Sequence, residues 1–98
     1  MEEEYPNHEE NELFEAILKL GTTDEAMRFF RDLLTRAELK EFANRWKMAK
    51  LIDKGIPYLK IAEEVGCSTA TVTRTAQWLN HGLGGYRLVL NRIKNNEK

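Results

Sequence analysis

Apolar positions along this 98-residue chain recur every three or four residues, the period of a helix buried on one face. Leu13, Phe14, Ile17 and Leu18 share the face of a first helix, which the pattern stops at Gly21, placed just past the helix end. Thr22 with Glu25 reads as a capping box that opens a second helix carrying Ala26, Phe29, Phe30 and Leu33. Thr35 with Glu38 repeats the device and opens a long helix with Leu39, Phe42, Ala43, Trp46, Ala49 and Ile52, ended by Gly55. Pro57 falls in the first turn of a short helix holding Leu59, Ile61, Ala62 and Val65, before Gly66. A fifth helix follows over 69–80, "HGLGG" breaks it, and a last helix carries Tyr86, Val89, Leu90 and Ile93. The prediction is an all-α fold of about six short helices. One helical domain is expected over residues 9–95, after a disordered acidic N-terminus at 1–8.

One stretch resists this period. Thr69, Thr71, Thr73 and Thr75 alternate, as in a strand, and threonine is a poor helix former. Yet Ala70, Val72, Ala76 and Leu79 in the same stretch form a helical stripe, and Ala62, Gly66 and Val72 have helix-turn-helix spacing. Ala62 is small where a second helix crosses close above it. Gly66 supplies the left-handed backbone of the turn, Cys67 fills a small space there, and Val72 plugs the angle between the helices. Ser68 caps the second helix, with Thr69 as the alternative. With Val72 turned inward, Ala76 and Leu79 fall within about 40° of it and Thr75 lies at the margin. Thr73 lies to one side, and Ala70, Arg74 and Gln77 point outward. Short side chains, hydroxyls and a cation on one face suit base edges and phosphates, which accounts for threonines that helix propensity would reject.

Charge sharpens this reading. The net formal charge is only −1, but residues 1–15 carry seven Glu and no Lys or Arg. No acid occurs between Val65 and Asn96, where Arg74, Arg87, Arg92 and Lys94 stand. Such a basic segment fits either nucleic acid or a solvated face. His81 at the end of the fifth helix fits a C-cap or a phosphate contact, and Trp46 is placed in the core. One cysteine excludes an internal disulfide, and no Cys/His cluster suggests a metal. No apolar run reaches a membrane span and the acidic start is no secretory signal, so a cytoplasmic protein is expected. No Ser/His/Asp set, phosphate-binding glycine loop or acid pair suggests catalysis, and an enzyme is not expected. The large residues Leu13, Phe14, Ile17, Phe29, Phe30, Tyr86, Leu88, Val89 and Leu90 exceed what so short a chain buries alone, which predicts a homodimer.

"LLTRAELKEFANRWKMAKLIDKGIPYLKIAEEVGCSTATVTR" resembles the Trp repressor family, and the wider span to "GGYRLVLNRIK" resembles its YerC/YecD branch. The resemblance covers residues 12 to 94 and implies an intertwined all-helical homodimer that enters successive major grooves of an operator. Ser68, Thr69, Ala70 and Thr73 match family positions that approach DNA. Arg45 and Arg74 match two arginines that sandwich the co-repressor indole, and Thr35 matches another pocket residue. Each has a plainer role: Arg45 can pair with Glu41, Arg74 can contact phosphate, and Thr35 can act only as a cap. Two positions depart from the tryptophan-binding pattern, Thr75 where the repressor has glycine and Trp78 where it has serine. The Trp78 indole is expected either to stack on an arginine of that pocket or to face the dimer core. Both versions disfavour L-tryptophan as a cofactor, and no other small molecule is indicated. The expected function is a dimeric transcriptional regulator, a repressor by resemblance, that reads a double-stranded DNA operator through Ser68, Thr69, Ala70, Thr73, Arg74 and Gln77. The alternative is a protein-interaction module with the same fold.

Overall fold

The computed structural model describes residues 4–96, and among them the regular elements are six α-helices. They are α1 (His8–Ile17), α2 (Thr23–Leu33), α3 (Arg36–Asp53), α4 (Tyr58–Val65), α5 (Thr69–His81) and α6 (Gly85–Asn96). The chain gathers into two compact units, one ending at Leu39 and one starting at Lys40.

The first unit holds α1, α2 and the opening turn of α3, and its helices are set by their caps. The Asn7 side chain accepts the Glu10 N–H and the Glu10 carboxylate accepts the Asn7 N–H, each at 2.8 Å, so α1 begins inside the stretch expected to be disordered. Tyr5 adds an edge-on contact with Phe14 at 6.4 Å; residues 1–3 of that stretch lie outside the described ones. The helix also ends early: Leu18 is its C-cap, and Gly21 is not left-handed. The Gly21 N–H instead donates to Glu25 at 2.7 Å, while Thr22 Oγ1 accepts the Glu25 N–H at 3.1 Å. The capping box at Thr22 is thus stretched by one residue, and Gly21 serves the start of α2 rather than the end of α1. Thr35 and Glu38 close the full reciprocal pair at the head of α3. Neither α1 nor α2 contains a buried residue.

The second unit is built on the body of α3. Gly55, at φ 81°, ends it: the Ile56 N–H reaches the Leu51 carbonyl and the Gly55 N–H the Ile52 carbonyl, a Schellman closure. Pro57 precedes α4 as its N-cap and does not lie in the first turn. Met48, Ile61, Ala62 and Val72 form the core, with Leu51, Ile52, Ile56, Val65 and Cys67 packed around it. Trp46, expected in the core, is not part of this cluster; it is half-buried and stacks on Tyr86 with ring centres 6.3 Å apart. No helix of the described residues is long and apolar enough to cross a membrane.

Candidate nucleic-acid interface

The helix-turn-helix is formed by α4 and α5. Gly66, at φ 80° and ψ 43°, is the left-handed residue between them, and its N–H and that of Cys67 converge on the Ala62 carbonyl at 2.8 and 3.0 Å. Ser68 is the N-cap of α5, its Oγ accepting the Thr71 N–H at 3.2 Å and lying 3.0 Å from the Thr71 hydroxyl. Ile61 and Val72 are fully buried and Ala62 is 5% exposed, which closes the angle between the two helices. Cys67 packs in the turn with its sulfur 3.9 Å from that of Met48.

Packing α5 by Val72, Thr75, Ala76 and Leu79 leaves Thr69, Ala70, Thr73, Arg74 and Gln77 exposed along the opposite side, with Ser68 exposed at its head. The four alternating threonines therefore do four different jobs. Thr69 is free on the surface, and Thr71 helps close the Ser68 cap. Thr73 donates to the Thr69 carbonyl at 3.0 Å, a back-bond that tolerates threonine in a helix and leaves the hydroxyl oxygen open to accept. Thr75 is buried, at 1% exposure, where the sequence placed it at the margin. Its hydroxyl lies 3.3 Å from the Thr71 carbonyl and 3.8 Å from the Met48 sulfur, so one proton always has an acceptor.

The basic segment is less basic than its composition. Asp53, the last residue of α3, has a side chain only 8% exposed, and both carboxylate oxygens are taken. Arg87 Nη1 holds Oδ1 and Lys94 Nζ holds Oδ2, each at 2.6 Å. The Lys94 bond first, aided by Arg87, holds the Asp53 carboxyl below the usual range against the desolvation that raises it. Two of the four cations of the acid-free segment are thus engaged within the fold. Arg87 also donates from Nη2 to Asn80 Oδ1 at 2.9 Å, so α3, α5 and α6 meet at one guanidinium. Sequence reading missed this cluster. Its signals were an acid at a helix C-terminus, where the dipole disfavours it, and two cations seven residues apart on one face of α6.

The residues at the matched ligand-pocket positions differ in burial and in partners. Thr35 belongs to the first unit and is a helix cap there. Arg45 donates to Glu41 at 2.9 Å, the pair expected of its plainer role, and its guanidinium lies 5.6 Å from the Phe42 ring centre. Arg74 is exposed, and Thr75 occupies the space between α5 and Met48. Among the described residues the cations lying over rings are Arg45 over Phe42 and Lys50 over Trp46, so Trp78 does not stack on an arginine. It is 48% exposed and lines an apolar hollow with Gly82, Leu83, Gly85 and Tyr86.

Residues 8–94 match the model of the Trp repressor protein family. The "Uncharacterized protein YerC" of Bacillus subtilis (strain 168) is 40% identical over 87 residues, 89% of this chain and 84% of that protein. The crystal structure of a TrpR-like protein from Eubacterium eligens superposes with a TM-score of 0.85 at 39% identity, covering 91% of this chain and 92% of its own. A second solved structure, from Staphylococcus aureus, matches with a TM-score of 0.80 at 39% identity over 86% of this chain and 84% of its own.

Proposed function

The chain belongs to the Trp repressor family, a regulatory rather than enzymatic family, and we propose that it acts as a sequence-specific DNA-binding transcriptional regulator. The observation that carries this reading is the exposed row Thr69, Ala70, Thr73, Arg74 and Gln77 on the second helix of a helix-turn-helix. In the major groove, Thr73 and Gln77 offer hydroxyl and amide groups to base edges. Ala70 fits a thymine methyl, Arg74 a phosphate or guanine, and Ser68 and Thr69 the backbone at the head of the helix. Two copies act together. A lone chain leaves Leu18 81%, Leu59 66% and Leu83 91% exposed, and α1 and α2 bury nothing, which a homodimer sharing these faces resolves. Repression is the expected sign of control, and the cytoplasm the expected place of action.

Free L-tryptophan is not its effector in this reading, because Thr75 fills the site and Arg45 is engaged by Glu41 and Phe42. The deciding experiment is selection from random double-stranded DNA. A two-fold symmetric motif should emerge, bound with an affinity that falls steeply with salt. Enrichment of no motif would leave the fold serving protein partners instead.

A further inference from the structure

We infer that Arg87 is a positioning residue for the DNA-reading helix: through Asp53 and Asn80 it fixes the C-terminal end of α5 against α3. The inference rests on the reading of α5 as the DNA-contacting helix. The N-terminal end of α5 is already held by the Gly66–Ser68 turn and by Val72. Its far end leaves the core at Leu79, and the chain then turns through Gly82 and Gly84. Asn80 is exposed in that last turn, and Arg87 Nη2 reaches it at 2.9 Å.

The chemistry of the cluster explains why an arginine stands there. A carboxylate that is 8% exposed at a helix C-terminus is disfavoured by desolvation and by the dipole unless cations meet it. Lys94 engages one oxygen of Asp53, so Arg87 needs only one arm of its fork for the other oxygen and extends the second to α5. A guanidinium can divide itself in this way because its donors are held in one plane at fixed angles. An ammonium at the same position would keep the charge and lose the reach. The outward row runs from Thr69 to Gln77. A tilt of about 10° would move a side chain about 10 Å from the pivot by nearly 2 Å, enough to break a base-edge hydrogen bond.

The competing role for Arg87 is a direct phosphate contact, and the two give opposite signs. If Arg87 positions α5, Asp53→Asn weakens binding to the selected DNA, because the cluster loosens. If Arg87 and Lys94 are phosphate ligands held back by Asp53, the same change tightens binding. Arg87→Ala should lower affinity about tenfold while leaving the slope of log affinity against log salt unchanged; loss of a phosphate ligand would reduce that slope by about one. Asn80→Ala keeps the Asp53 pairs and should lower affinity severalfold, and the double variant should be no worse than Arg87→Ala alone. Independent, multiplying losses, a reduced slope or a tighter Asp53→Asn would each overturn the inference. Should the wild-type chain select no DNA, the functional reading falls by itself, and hydrogen exchange decides the clasp. The amides of residues 79–82 should then exchange about tenfold faster in Asn80→Ala than in the wild type, and unchanged exchange would overturn it.

Discussion

Thr75 of α5 is buried against Met48 of α3. Its side chain takes up space between the two helices, and its hydroxyl proton has acceptors in the Thr71 carbonyl and the Met48 sulfur. Calorimetric titration of the unmodified protein with L-tryptophan should therefore show no micromolar binding, and DNA affinity should not respond to the amino acid. Thr75→Gly should cost roughly 2–3 kcal/mol in chemical denaturation, combining a glycine in a helix interior with the cavity left behind. Gly66 makes a second prediction. A Cβ there would meet nothing within 4 Å, so the cost of Gly66→Ala is conformational, from φ 80° alone, and should be about 1–2 kcal/mol. Gly66, Ala62 and Val72 were legible in the sequence because their constraints are local. Thr75 was only half legible, since a helical wheel gives its angle but not that Met48 comes across to meet it.

Among the elements, α5 buries one side in the core and, in the proposed function, turns the other to DNA. Thr73→Ala should cost roughly 1–3 kcal/mol on the preferred sequence and relax preference at one position per half-site, read by comparing selected motifs. Arg74→Ala should instead weaken binding to all sequences alike and flatten the salt dependence. Ser68→Ala removes the cap of the helix and should cost about 1 kcal/mol of stability in denaturant melts. Helix number and the helix-turn-helix could be read from apolar period and caps, while the end of α1 and the partners of Asp53 could not. At Gly21 the glycine suggested a C-terminus, but Glu25 reaches back to its N–H and makes it part of the next beginning. The Asp53–Arg87 pair joins positions 34 residues apart, and no local pattern specifies a partner at that separation.

For the molecule as a whole, exposure of large apolar side chains and the pairing of Asp53 set the measurable behaviour. Sedimentation across micromolar concentrations should give a dimer, and a well-folded monomer of 11.4 kDa throughout would remove that proposal. Asp53 faces Arg87 and Lys94 from α6, with Lys50 of its own helix and Lys54 just past the helix end lining the same hollow. Because its folded pKa lies below the ordinary value of 3.8, its contribution is present above that value. It is lost as pH falls through the lower folded value, so acid titration should show Asp53→Asn losing less stability than wild type below about pH 4. The absence of any buried residue in α1 and α2 has a consequence for the cell. If these helices gain their interior only from a second copy, the structured form is itself a function of abundance, and occupancy of DNA rises with the square of total chain at low dose. Dilution on growth would then release the operator as an effector does elsewhere. Expression level would be the signal that such a dimer measures.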